Sequence, residues 1–215
     1  MATQIRPARR EDADFLAWLM LEASRGHLSR GVWDLIIGAD DAGCLEYLKR
    51  LALAEPRSLC HFDSFLIAQV DGRAAAALCT FEADPAAWEP VDLAMSAVQR
   101  ELGWTDTDLA ASDQRTNAVF RCFPEDSGAD WCIESVATLP EFRRRGLVDA
   151  LMQRAIQQGT ERGSKLAQIS ILIGNDAAER AYEKAGFTVH DERGSSEFEA
   201  ALGAPGFRRL LRPLV

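Results

Sequence analysis

No stretch of this 215-residue chain approaches the roughly 18 apolar residues that a membrane-spanning helix needs. Its opening, Met-Ala-Thr-Gln-Ile-Arg, has neither the apolar core nor the cleavage pattern of a secretory leader. The expectation is a soluble, unprocessed protein that does not engage a membrane. Internal repeats and low-complexity segments are absent. The five cysteines, at 44, 60, 79, 122 and 132, are odd in number and contain no Cys-x-x-Cys pair, so neither a disulfide framework nor a dithiol motif is expected. They read as reduced, mostly buried thiols of a cytoplasmic protein. Histidine is scarce: His27, His61 and His190 stand far apart with no pair at metal-ligand spacing, and no metal site is expected. Gly-x-Ser-x-Gly, Gly-x-Gly-x-x-Gly and a phosphate loop ending in Gly-Lys-Ser/Thr are all missing, which removes hydrolase, dinucleotide and nucleotidase readings. Positive charge is in deficit, with 24 Lys and Arg against 33 Asp and Glu, a formal charge of -9 and a pI near 4.9. Nucleic acid would be repelled by such a surface except where arginines cluster. The one such cluster, Arg143-Arg144-Arg145, therefore wants a reason.

What is present suits a single domain over 1–215, with 47% hydrophobic residues available for a core. Residues 4–9 suit a first strand, and Glu11 or Asp12 opens a helix with Phe15, Leu16, Leu19, Met20 and Ala23 on one face, ended by Gly26. Residues 31–38 fit a helical turn or a strand, and Asp40-Asp41 caps a helix carrying Leu45, Leu48 and Ala52. Residues 65–70, then Asp71-Gly72, then 73–81 form a β-hairpin signature, because Asp-Gly tolerates the positive φ of a tight turn. From about 82 to 116 the pattern turns polar and helical, as an acidic insertion would. Strands are expected at 117–123, 131–138 and 167–173, helices after 146 and over 176–185, and closing strands at 187–191 and 207–214. The final strand is expected at an exposed edge, where it would pair or swap across a homodimer.

The strand at 131–138 empties through Pro140 into Arg143-Arg144-Arg145-Gly146-Leu147-Val148 and then an amphipathic helix. A turn of this kind leaves unpaired N–H groups at a positive helix end, a ready site for phosphate. Arginines are a poor electrostatic choice for a merely solvated helix start, which favours an anion-binding role.

Two motifs in order, the run Val136 to Val148 and Asn175-x-x-Ala178-x-x-Ala181-Tyr182-x-Lys184-x-Gly186-Phe187, resemble those of the GCN5-related N-acetyltransferase (GNAT) superfamily. The specific likeness covers about residues 133–187. It implies an α/β GNAT fold: a mostly antiparallel, twisted mixed sheet with helices on both faces, splayed between the strands at 131–138 and 167–173. It also implies acetyl transfer from acetyl-CoA to a small-molecule or peptide amine by direct attack, without a metal. Alternatives are a non-catalytic acyl-CoA-binding regulatory domain and an acyltransferase with another donor.

By this resemblance, backbone amides from Arg144 through Arg145, Gly146, Leu147 and Val148 to Asp149 hold the diphosphate, helped by Arg143, while the strand edge at Val136, Ala137 and Thr138 pairs with pantetheine. Val148 departs from the pattern, which has Gly or Ala there, and crowds the approach to the backbone. Asn175 fits two readings, a pantetheine contact and an N-cap. Tyr182, two helical turns on, is the expected general acid for the departing thiolate. Glu134 is the candidate base, its pKa raised by apolar neighbours; it fits equally a solvated strand face or a binder of the substrate cation. A local bulge would free the Val136 N–H for the developing oxyanion. Cys60-His61 near Asp63 reads as structural, since adjacent residues on an extended chain point apart. Residues 82–115 hold eight acids (Glu82, Asp84, Glu89, Asp92, Glu101, Asp106, Asp108 and Asp113) against Arg100 and Arg115. They fit either a solvated helix pair or a lid that attracts a cationic amine, with Trp88 and Trp104 as apolar wall.

Overall fold

A computed structural model describes residues 3–83, 88–123 and 127–214. Asp84 of the acidic segment and residues 124–126 of the expected loop lie outside the described residues. Strands β1 (Thr3–Pro7), β2 (Phe65–Val70), β3 (Arg73–Glu82), β4 (Trp131–Thr138), β5 (Leu166–Leu172), β6 (Thr188–Gly194) and β7 (Gly206–Pro213) form one sheet in the order β1-β2-β3-β4-β5-β7-β6. All neighbours are antiparallel except β4 and β5. The hairpin of β2 and β3 turns on Asp71 and Gly72 with φ of 50° and 83°, the left-handed values that its sequence allows.

The helices are α1 (Ala13–Arg25), α2 (Val32–Ile37), α3 (Asp41–Leu51), α4 (Glu89–Glu101), α5 (Asp106–Phe120), α6 (Leu147–Glu161), α7 (Asp176–Lys184) and α8 (Ser196–Leu202). Alternation along the hairpin divides the core between two faces. Phe65, Ile67, Ala77 and Cys79 pack with α1, α3 and α4, whereas Leu66, Ala68, Ala76 and Leu78 pack with α6 and α7. Helices thus cover both faces of a mostly antiparallel mixed sheet, as the resemblance implied. A third cluster joins Leu35, Val119, Phe198 and Leu202 at the end of the sheet.

Three expectations need correction. The strand expected at 117–123 is the last part of α5 and the turn after it. Thr105 and Asp108 form a capping box at the start of that helix, and Val119, with no exposure, packs toward α8 rather than into a sheet. The final strand is not an exposed edge: β7 lies between β5 and β6, because the chain lays down β6 outside before α8 returns it inward. The edge belongs to β6, so pairing or swapping through residues 207–214 has no free edge to use. Helix α8 was not foreseen, although Ser195 caps it and Gly203 ends it in the left-handed region.

Candidate active site

The site begins with a fault in β4. Cys79 faces Glu134 and Ala77 faces Ala137, so Ser135 and Val136 together stand opposite Leu78, and Ser135 takes a φ of 52°. This extra residue is a β-bulge, and it reverses the alternation of faces. Ile133 and Val136 consequently pack on the α6 side, and Ala137 on the α1 side. On its other edge β4 pairs with β5 only from Trp131–Ala167 to Ile133–Ile169. From Glu134 onward the two strands part, and the β4 edge at Val136, Ala137 and Thr138 faces a cleft of about 800 Å³. The Thr138 hydroxyl is buried there without a hydrogen-bond partner among the described residues.

A single 3-10 turn, Pro140–Phe142, joins β4 to the arginines. The guanidinium groups of Arg73 and Arg145 lie over the Phe142 ring, at 5.2 and 5.1 Å from its centre, and Arg145 also donates to the Glu141 carbonyl at 2.8 Å. Arg143 and Arg144 instead line the cleft, with Arg143 donating to the Thr138 carbonyl at 3.3 Å. Gly146, at φ 74°, turns the chain into α6 in a conformation that side chains resist. Leu147 is core, and Asp149 is paired with Lys184 of α7, which ties the two motifs together. Val148 is half-buried in the cleft wall.

Asn175 caps α7, its side-chain oxygen accepting from the Ala178 N–H at 3.3 Å, and it also lines the cleft. The cap engages only the oxygen, so a ligand contact by Asn175 would fall to the amide nitrogen. Tyr182, on the same helix, is 6% exposed and reaches the same space. Glu134 is half-buried and lines the same cleft. Its surroundings on the α1 side are thiols: Cys132 two residues before it and Cys79 directly across the ladder. With no cation among the causes, desolvation alone pushes its carboxyl up to about 8. Burial, and then the nearby Glu134 charge, raise the Tyr182 phenol well above its usual value, so it stays protonated. Cys60 also borders the cleft, but burial pushes its thiol up to about 12, while His61 pairs with Asp63 at 2.5 Å. The structural reading of that trio is consistent with these contacts, and all five cysteines are free and buried.

The model of the acetyltransferase (GNAT) family matches residues 45–187. This chain belongs to the GNAT acetyltransferase family. Its fold is similar to that of an N-acetyltransferase from Staphylococcus aureus Mu50, at 18% identity, TM-score 0.69, and 97% and 100% coverage of the two chains. It is likewise similar to the polyamine N-acetyltransferase of Drosophila melanogaster, at 16% identity, TM-score 0.57, and 99% and 100% coverage. A third similar structure is yncA of Salmonella typhimurium with acetyl-CoA, at 15% identity, TM-score 0.51, and 100% and 95% coverage. No curated protein matches the chain in sequence.

The remainder of this GNAT cleft lies beyond Glu134 and is built by α1, α2, α4 and α5. Helix α4 is anchored in this wall, with Ala94 and Val98 buried in the core cluster that includes α3. Of its acids, Asp92 and Asp113 face the cleft; Glu82 pairs with Arg162, Glu101 with Arg50, and Asp108 caps α5. Trp88 lines the cleft as expected, but Trp104 does not: it packs on Tyr47 with ring centres 5.8 Å apart. Sequence reasoning missed Trp18, Trp33, Phe120 and Phe123 in this wall, since no motif marks them. Among the described residues no three His, Cys, Asp or Glu side chains are grouped to hold a metal, and no helix is long and apolar enough to cross a membrane.

Proposed function

We propose that this protein moves an acetyl group from acetyl-CoA to a primary amine by direct attack, without a covalent enzyme intermediate. The observation that carries the reading is that Glu134 and Tyr182 line one cleft where β4 and β5 part, near enough for the Glu134 charge to act on the phenol. The residues present suit acetyl-CoA: an open strand edge with an orphaned Thr138 hydroxyl, two arginines at a helix start, and the free half of the Asn175 amide. Bound there, acetyl-CoA supplies an activated thioester.

The chain's own groups then manage protons. An amine arrives as an ammonium, which cannot attack, and its positive charge favours the ionised form of Glu134. The carboxylate takes one proton, and its affinity near 8 places it close to working pH. The Val136 N–H at the bulge donates to the carbonyl oxygen as charge builds on it. Tyr182 gives its proton to the departing sulfur, and the second proton shed by the nitrogen restores the phenol.

The test is release of free thiol from acetyl-CoA in the presence of an amine panel, alongside a titration of acetyl-CoA binding. Thiol release that needs both amine and Tyr182 is expected. Tight acetyl-CoA binding with no transfer to any amine would replace this reading with a non-catalytic acyl-CoA-binding domain.

A further inference from the structure

The part of the cleft beyond Glu134 is far from neutral ground. Trp18 of α1 and Trp33 of α2 line it together with Trp88, just before α4, and with Phe120 and Phe123 at the end of α5 and in the turn after it. Trp88, Phe120 and Phe123 are 49%, 47% and 38% exposed, among the few large apolar side chains left open. They are ordered against one another: the Trp88 ring meets Phe123 edge-on at 6.0 Å, Phe120 meets Phe123 at 5.7 Å, and Phe123 rests on Phe207 at 5.1 Å. An aromatic wall supported from behind, rather than scattered singly, is the pattern of a binding surface.

Charge adds a second, independent constraint. Among the described residues of this half, the charged groups are Asp92, Asp113 and Glu134, with Glu22 already paired to Arg25 at 3.7 Å; the arginines lining the cleft, Arg143 and Arg144, sit at the other end by the turn. The acids draw in a cation and repel a carboxylate. With aromatic faces beside them, they also suit a cation that carries its own apolar body.

Resting on the transfer reading above, we infer that the acceptor is a primary amine borne on an aromatic body and lacking a carboxylate, an arylalkylamine rather than an amino acid or a linear polyamine. The ring of such an amine lies among Trp88, Phe120 and Phe123, while its nitrogen reaches Glu134.

Four acceptors separate the contributions: tryptamine, tryptophan, propylamine and spermidine, each at saturating acetyl-CoA. Tryptamine is expected to exceed each of the others by at least about tenfold in kcat/KM, the scale of one buried aromatic contact or one repelled charge. Trp88→Ala and Phe120→Ala, at sites nearly half exposed and so tolerable to the fold, should each cut the tryptamine-to-propylamine ratio by about fivefold or more. Spermidine or tryptophan matching tryptamine, or an unchanged ratio in both variants, overturns the inference. Calorimetric titration of the same four compounds into the CoA-loaded protein supplies a readout that does not need turnover. If no amine is acetylated, the transfer reading fails, yet tighter binding of tryptamine would still support the aromatic site and equal binding would still overturn it.

Discussion

The two ends of the cleft are made of different materials. At the end proposed for acetyl-CoA, the lining is largely backbone, the β4 edge freed by the bulge and the splay and the turn at Gly146, with the side chains of Thr138, Arg143, Arg144 and Asn175 beside it. At the end proposed for the acceptor, the lining comes from side chains on four helices and the segments beside them. Backbone geometry is specified by short local patterns and recognises what every acyl-CoA shares. A side-chain wall is assembled from distant positions, each free to change, and so is where one enzyme is made unlike its relatives.

Glu134 and Tyr182 stand at the junction, and the largest effects should arise there. Tyr182→Phe is expected to lower kcat by about 10²- to 10³-fold while leaving the acetyl-CoA dissociation constant within about twofold, as measured by steady-state kinetics and titration. An unchanged kcat would remove the phenol from the mechanism. Glu134→Gln should lower kcat/KM for amine by about 10²-fold. In the parent protein that quantity should climb as pH rises through about 8, and the variant should lose this limb of the profile. Folding supplies a second reading of the same group. Its proton affinity rises from the ordinary 4.5 to about 8 on folding, so the native state keeps a proton that the unfolded chain releases between those values. Stability therefore falls as pH climbs through that window. Glu134→Gln should gain in Tm relative to the parent over the same range, by roughly 3 °C for each kcal/mol recovered.

Smaller changes probe each end by itself. Replacing Asp92 and Asp113 together by Asn should raise KM for a cationic amine about fivefold at low salt, less at high salt, without moving KM for acetyl-CoA. Equal shifts in both constants would erase the division between the ends. Val148→Ala should do the reverse, tightening acetyl-CoA about threefold, or roughly 0.6 kcal/mol, with the amine constant unmoved. The smallest effect belongs to Lys184→Ala. Its ion pair with Asp149 links the two motif helices but is largely exposed, so calorimetry should find a loss of no more than about 1 kcal/mol.

The sequence by itself determined the backbone geometry around the β4 end of the cleft, because its signals are local. Asp71-Gly72 has the φ values of a hairpin turn written into it, Gly146 permits the entry into α6, and Asn175 and Tyr182 share a helix face through spacing alone. Glu134 was legible too, its apolar flanks announcing a desolvated carboxylate, although the Cys79 thiol across the ladder came from another strand. Where Val119 and Phe120 suggested a strand, the capping box and the third core cluster kept a helix. Only the tertiary structure decided that β7 would slip inside β6, that Trp104 would turn away onto Tyr47, and that Trp18, Trp33, Phe120 and Phe123 would face one space. Those outcomes depend on how helices 100 residues apart in the chain pack together, roughly the span from Trp18 to Phe120, and packing leaves no periodicity in the sequence for a reader to find.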